Sequence, residues 1–140
     1  MKTQSCKAKG RRLQQIIVAD LLDMHPHLTE DDVKSTSMGA SGEDVQLSAA
    51  ARRVLPYSFE AKNQEKLNVW NAMTQARSNT PSETNPVVVF KKNNEKPHVM
   101  ISWDLFKRLI GPNNDDAQHA QIRQILNETA QTLQEVAGRI

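Results

Sequence analysis

Apolar residues in the first part of the chain recur at the spacing of an α-helix: Leu13, Ile16, Ile17, Ala19, Leu21 and Leu22. This pattern predicts a first helix over residues 12–24. The helix should end at His25, because Pro26 disfavours the helical conformation in the residue before it. Residues 29–32 could cap one further helical turn, whereas residues 35–42 are small and turn-forming, which predicts a flexible loop.

The middle of the chain changes from helical spacing to the alternation of a strand. Ser48 can cap a short alanine-rich helix that Pro56 ends. Residues 57–62 then alternate aromatic and polar side chains, as a strand with one buried face would. Glu60 and Lys62 are therefore expected together on the opposite face of that strand.

A second long helix is predicted over residues 68–77, with Trp70, Met73 and Ala76 facing inward. Trp70 could instead stack on nucleic-acid bases, but its apolar neighbours favour packing in the core. The same argument applies to Trp103.

Two continuous apolar runs follow, at residues 87–90 and 99–101, and they predict two strands covered on both faces that form a hairpin. The alternation of strands with helices indicates an α/β fold, with a mixed central sheet flanked by helices.

The end of the chain is predicted to be helical. Asp104 can cap a helix over residues 105–110 that Gly111 and Pro112 end. Residues 117–136 then form an amphipathic helix with an apolar stripe at helical spacing: Ile122, Ile125, Leu126, Thr129, Leu133 and Val136. The stripe could pack on the domain core or on the same stripe of a second subunit.

Chain length and composition limit the class of protein. The 140 residues suit one catalytic domain, expected over residues 1–112, followed by a helical segment over residues 113–140. No apolar run approaches the roughly 20 residues of a membrane helix, and the N-terminus lacks the apolar core of a signal peptide, so a cytoplasmic protein without membrane contact is expected. Aromatic residues make up only 4% of the chain, which argues against a protein that stacks many single-stranded bases.

The net charge is only +2, but basic residues are concentrated at the N-terminus: Lys2, Lys7, Lys9, Arg11 and Arg12. Residues 1–10 could form a basic arm that contacts phosphates, or a disordered tail that only aids solubility.

The candidate chemistry lies between Asp44 and Lys62. Asp44 follows a glycine-containing loop, and Glu60 and Lys62 are two residues apart on the predicted strand, so their side chains project in the same direction. Carboxylate oxygens of Asp44 and Glu60 suit Mg²⁺, with the backbone carbonyl of Ala61 as a further ligand. A lysine in this position can orient or deprotonate an attacking water. The alternative is a surface charge pair without a catalytic role.

Residues 41–45 (Ser-Gly-Glu-Asp-Val) and 59–64 (Phe-Glu-Ala-Lys-Asn-Gln) resemble the core of PD-(D/E)xK nucleases, particularly small phage endonucleases and archaeal-type Holliday junction resolvases. The resemblance covers about residues 8–101. It implies a restriction-endonuclease-like fold, a Mg²⁺-dependent site that also accepts Mn²⁺, and cleavage of branched DNA by a homodimer.

The chain departs from the family's pattern at two positions. After the Lys9-Gly10 pair the resemblance implies an acid where Gln14 stands, and Glu43 replaces proline. Gln14 could hold a metal-bound water through its amide, Glu43 could supply an extra carboxylate, and Gln64 is expected to support the site. The strand hairpin usual in this family is replaced by the alanine-rich segment, as in the phage members.

Several residues are expected to contact DNA: Lys7, Lys9, Arg11, Arg12, Ser41, Arg52 and Arg53. Three other functions stay open. The chain could be an endonuclease for linear DNA that uses the same three residues, a DNA-binding protein that has lost catalysis, as Gln14 suggests, or a dimeric interaction module built on the last helix.

Overall fold

The computed structural model describes residues 2–37, 42–112 and 114–139, and their side chains over residues 5–37, 42–112 and 120–139. The chain forms two compact units, Met1–Ser102 and Trp103–Ile140. The sequence pattern had suggested a division after residue 112. The first unit contains the elements that carry the candidate site.

Helices and strands of the first unit alternate along the chain: α1 (Lys2–Met24), β1 (Val33–Ser35), β2 (Val45–Leu47), α2 (Ala49–Val54), β3 (Tyr57–Asn63), α3 (Val69–Asn79), β4 (Asn85–Lys91) and β5 (His98–Met100). The second unit contains α4 (Trp103–Ile110) and α5 (Asn114–Gly138). The mixed α/β class expected from the sequence is therefore confirmed.

Helix α1 begins at Lys2, well before the predicted start at residue 12. Its apolar face was predicted in part, since Leu13, Ile17 and Leu21 are buried but Ile16 and Ala19 are exposed. The basic N-terminal residues lie on the first turns of this helix, so the expected arm is helical where the structure describes it. The apolar spacing could not show this, because these turns carry few apolar side chains.

A small antiparallel hairpin, β1 with β2, follows α1. Its first strand was not predicted, and the further helical turn expected at residues 29–32 is wrong. Those residues form a turn in which the Asp32 carboxylate accepts from the Thr29 amide (2.8 Å) and from the Ser48 hydroxyl (2.7 Å). Ser35, predicted as the first residue of the loop over residues 35–42, is instead the last residue of β1. Residues 38–41 of the predicted loop lie outside the described residues.

The prediction for the alanine-rich segment is confirmed. Helix α2 has Ser48 as its N-cap, with the Ser48 hydroxyl accepting from the Ala51 amide (3.1 Å). The helix ends before Pro56, as the proline requires.

The larger sheet has the strand order β3-β4-β5, with β3 parallel and β5 antiparallel to β4. The predicted β4–β5 hairpin is therefore confirmed. The expectation that both strands are covered on both faces is wrong for β5, in which His98 and Val99 are exposed. Helix α3 connects the two parallel strands, the usual solution for a parallel pair. Its small apolar side chains, Ala72 and Ala76, pack with Met73 against Val88 of β4.

Both faces of β3 are covered, so the expectation of an open polar face is wrong. Glu60 pairs in register with Val88, and Lys62 with Phe90, which places both on the face that α3 covers. Glu60 is only 3% exposed. Contacts between α1 and β3, together with the burial of Phe59, show that the second face is covered as well.

The two tryptophans are exposed, and their expected core positions are wrong. Trp70 is 80% and Trp103 67% exposed. On α3 the residues that approach the sheet are the small Ala72 and Ala76, which allow close packing, and Trp70 lies outside that face.

The second unit consists of α4 and α5. The predicted end of α4 at Gly111 is confirmed by the hydrogen bond from the Gly111 amide to the Lys107 carbonyl (2.9 Å). The predicted α5 stripe is exposed at each of its large apolar residues: Ile122, Ile125, Leu126, Leu133 and Val136. Among the described residues, no helix is long and apolar enough to cross a membrane.

Candidate active site

Strand β3 presents Glu60 and Lys62 side by side beneath α3. The Lys62 ammonium lies 3.6 Å from Glu60 Oε1 and donates to Gln75 Oε1 at 2.6 Å. The Asn79 amide donates to Glu60 Oε2 at 3.4 Å. Gln75 and Asn79 are one turn apart on the same side of α3, so one helix face contacts both functional groups of the strand.

Asp44 reaches the same place from the smaller sheet. It directly precedes β2, and its carbonyl accepts from the amide of Thr36, the residue after β1 (2.9 Å). Its side chain then crosses to β3, and Asp44 Oδ2 accepts from the Ala61 amide at 2.7 Å. The structure therefore brings Asp44 into contact with the residue between Glu60 and Lys62.

The bond from Ala61 to Asp44 also locates the carbonyl group of Ala61. In an extended strand the N–H and C=O of one residue point toward the same edge. The Gln64 backbone amide donates to the Lys91 carbonyl at the end of β4, so the even-numbered residues at this end of β3 direct their backbone groups toward β4. The backbone groups of Ala61 therefore point toward the opposite edge of β3. The Ala61 carbonyl thus lies on the Asp44 side of β3, where the predicted ligand would have to be.

The pKa values of both acids, Asp44 and Glu60, are raised. Burial raises the pKa of Asp44 above its ordinary value, and the Ala61 amide and the Lys62 charge oppose this rise without cancelling it. Burial also raises the pKa of Glu60, and the negative charge of Asp44 raises it further, while Lys62 acts in the opposite direction. Two carboxyl groups that repel each other in a partly buried position are stabilised by any cation that binds between them.

The donor set fits a hard divalent cation. Asp44 and Glu60 provide anionic oxygens and Ala61 a neutral one, which matches the preference of Mg²⁺ for one or two carboxylates and several waters. In the part of the chain that the structure describes, His, Cys, Asp and Glu side chains do not gather in groups of three that could hold a metal. Two carboxylates and one carbonyl would leave positions for water, so this donor set fits an open magnesium site.

The supporting residues predicted from the sequence take other positions. Gln14 accepts from the Ser35 hydroxyl at 3.0 Å, which ties α1 to β1. Both carboxylate oxygens of Glu43 accept from Arg52, at 3.1 and 2.6 Å. Arg52 also donates to the Tyr57 carbonyl at 2.7 Å, so it joins the hairpin to the start of β3. These contacts give Glu43 and Arg52 a structural role in placing the neighbouring Asp44.

Apart from Arg52, the predicted DNA contacts divide into three groups. Lys9 and Arg12 line clefts beside the candidate site. Lys7, Arg11 and Arg53 are exposed elsewhere on the surface. Ser41 lies outside the described residues.

A cleft of about 540 Å³ opens beside Ala61 and Lys62. Lys9 and Gly10 of α1 line it. Gln64, which the sequence pattern predicts as a supporting residue of the site, also lines it. A second cleft of about 330 Å³ shares Lys9 with the first.

Sequence reasoning missed Gln75 and Asn79 on α3. The only sequence signal for them is that two polar residues stand four positions apart, next to the small residues that pack on the sheet. Two polar residues at this spacing are common on exposed helix faces. The spacing becomes informative only once the register Glu60 with Val88 places α3 over the same face of β3.

Models of protein families, curated proteins and solved structures were all searched, and no match to this chain was found. The evidence for its function is therefore the geometry of Asp44, Glu60 and Lys62.

Proposed function

We propose that the chain is a Mg²⁺-dependent endonuclease that hydrolyses phosphodiester bonds of DNA at Asp44, Glu60 and Lys62. The observation that carries the proposal is the convergence of two mutually repelling carboxyl groups and one ammonium group from two separate segments, β3 and the residue before β2. A surface charge pair would need only Glu60 and Lys62. Asp44 adds a like charge at a buried position, an arrangement that weakens the fold unless a cation is bound there.

Each residue has a separate task in this proposal. Asp44 and Glu60 hold the metal, with the Ala61 carbonyl on the same edge of β3. When bound, the metal lowers the pKa of water and offsets negative charge on the phosphoryl oxygens. Lys62, as an ammonium, would donate a hydrogen bond that orients the attacking water, and it would stabilise negative charge that develops on the phosphate. Its bonds to Glu60 and Gln75 hold the ammonium near the acids.

The leading substrate is a four-way DNA junction, and the elements of the first unit would form a restriction-endonuclease-like core. Paired cuts on symmetric strands suit a homodimer, in which a two-fold axis relates two identical sites. The exposed apolar stripe of α5 is the surface we propose for this dimer. We place the activity in the cytoplasm of the cell that holds the DNA, with Mn²⁺ able to replace Mg²⁺.

Cleavage of a fixed four-way junction and of a linear duplex of the same length tests the proposal. Wild type should nick DNA in Mg²⁺ or Mn²⁺ and be inactive in EDTA, and Asp44→Asn should be inactive in every condition. Lys62→Met keeps most of the side-chain stem and deletes the charge, so it reports on chemistry more than on packing. Equal cleavage by wild type and both variants would refute the assignment of the site.

The same experiment separates the alternatives. Preferential cutting of the linear duplex would indicate an endonuclease for linear DNA. A non-catalytic DNA-binding protein is favoured by one observation: the amide oxygen of Gln14, which replaces the acid that the resemblance implies, is engaged with Ser35. Binding without any metal-dependent nicking would support that function instead.

A further inference from the structure

The two clefts beside the candidate site carry an excess of positive charge. Five cationic side chains line them: Lys9, Arg12, Lys62, Lys66 and Lys91. Glu65 is the single acid in the same lining, and its carboxylate accepts from the backbone amide of Asn93 at 3.0 Å. Such an excess in a concave surface attracts polyanions.

Most of these cations have no carboxylate partner. Lys62 lies beside Glu60, but no ion pair joins Lys9, Arg12, Lys66 or Lys91 to an acid among the side chains described, those of residues 5–37, 42–112 and 120–139. Amide side chains of Asn63, Asn93 and Asn94 lie between them and can donate to phosphate oxygens. The lining therefore offers charge and hydrogen-bond donors together.

The described lining of the two clefts contains no aromatic ring, so bases have no platform on which to stack. Phe90 and His98 line a neighbouring pocket of about 240 Å³, which shares Gln64 and Glu65 with the larger cleft. Contacts in the two clefts are thus suited to the sugar–phosphate backbone rather than to bases, which favours a duplex over a single strand.

We infer that these two clefts, between α1 and the ends of β3 and β4, form a binding site for the phosphodiester backbone of duplex DNA, independent of base sequence. The inference rests on the proposed function for the identity of the polyanion, and it names the surface that guides DNA to Lys62. Arg52 was expected to contact DNA, but it is bonded to Glu43 and Tyr57. Lys66 and Lys91 are the DNA contacts that we infer in its place.

Gly10 provides a test that leaves every basic residue in place. Gly10 lines the larger cleft, and a Cβ at this position would meet no atom within 4 Å. Glutamate also favours helix more than glycine does, so Gly10→Glu should fold. It introduces a carboxylate beside the proposed phosphates, whereas Gly10→Gln introduces a side chain of the same size without charge.

Binding is measured by fluorescence anisotropy with a labelled 20-base-pair duplex in EDTA, so that cleavage cannot interfere, and thermal unfolding confirms that each variant is folded. Gly10→Glu should bind on the order of tenfold more weakly than Gly10→Gln at low salt. Gln15→Glu, an exposed position of α1 outside both clefts, should bind like wild type. Lys91→Gln should reduce the slope of log K against log salt by about 0.9, the loss of one phosphate contact.

Equal affinities of Gly10→Glu and Gly10→Gln would overturn the inference, and so would tighter binding of a single strand than of the duplex. Nicking assays on the same samples keep the two proposals apart. Weaker binding of Gly10→Glu without any wild-type nicking would refute the nuclease and retain the DNA site. Metal-dependent nicking with unchanged binding by Gly10→Glu would retain the nuclease and refute the site.

Discussion

Replacing Lys62 with methionine should destabilise the folded protein in a way that depends on pH. The substitution leaves Asp44 and Glu60 next to each other without their compensating ammonium group. It also removes the hydrogen bond to Gln75, but that side chain is exposed, so water can replace the lost donor. Methionine retains most of the apolar stem of lysine, so the loss of charge should dominate.

The magnitude follows from the geometry. Unit charges 3.6 Å apart, as in Lys62 and Glu60, attract each other by about 4–5 kcal/mol at an effective dielectric constant of 20. In the variant, the Glu60 carboxyl group can become neutral by taking up a proton, which limits the cost of losing the attraction to Lys62. For an ordinary glutamate at pH 7.5 this protonation costs about 4 kcal/mol. The cost is lower here, because burial and Asp44 already raise the pKa of Glu60. We therefore expect Lys62→Met to lose about 2–3 kcal/mol at pH 7.5.

The sign of the pH dependence is opposite to that of a carboxylate stabilised by a salt bridge. A folded-state pKa above the unfolded value means that the folded protein binds more protons, so stability falls as pH rises from the ordinary carboxyl pKa through the raised one. Losing Lys62 strengthens this trend. The difference between wild type and Lys62→Met should be small near pH 4 and fully developed above the raised pKa values.

Urea unfolding followed by circular dichroism at several pH values between 4 and 8 measures this difference. The control is a second substitution, Glu60→Gln, which should restore most of the stability of Lys62→Met at pH 7.5 by removing one of the two repelling charges. A loss that is equal at pH 4 and pH 7.5 would show that packing explains it. No loss at either pH would refute the electrostatic coupling of the three residues.

Three further predictions follow from the same contacts. Mg²⁺ at ten times its dissociation constant should stabilise wild type by about 1.4 kcal/mol in thermal unfolding and leave Asp44→Asn unchanged, and an equal shift in both would place the ion elsewhere. Gln75→Ala should lower the nicking rate by roughly tenfold and shift its pH profile, with binding of duplex DNA retained, because Lys62 loses its second anchor. Arg52→Met should reduce the urea midpoint by an amount equivalent to about 1–3 kcal/mol, because it leaves Glu43 partly buried without its cation; an unchanged midpoint would contradict that role.

Local chemistry could be predicted from the sequence where it depends on neighbouring residues. Ser48 as the cap of α2, the proline that ends it and the positions of strands β4 and β5 were correctly predicted. The start of α1 was not, since a helical segment with few apolar residues has no periodic signal. The short strand β1 was missed for a similar reason, because strands of a few residues are too short to show alternation.

Long-range placement could not be predicted. Alternation along β3 correctly placed Glu60 and Lys62 on one face, but only the return of α3 over the sheet shows that this face is covered. The pairing of Glu43 with Arg52 joins residues that α2 brings together, and a sequence pattern does not show which charges become partners. The approach of Asp44 to Ala61 likewise depends on the packing of one sheet beside the other.

The gap between the two sheets gives the candidate site its access. Strands β2 and β3 belong to separate sheets, so the outer edge of β3 is not covered by a neighbouring strand in the part of the chain that the structure describes. At this edge the carboxylate of Asp44 takes the place of a strand partner for the Ala61 amide. A continuous ladder would use both polar groups of Ala61 and leave no room for an ion. With a side chain in that role, the carbonyl of Ala61 is left on the edge of β3 that Asp44 contacts. Ala61 also lines the cleft that Lys9 and Lys66 line. In the proposed nuclease, this break in the sheet is what would allow Asp44 and Glu60, from separate segments, to hold one ion.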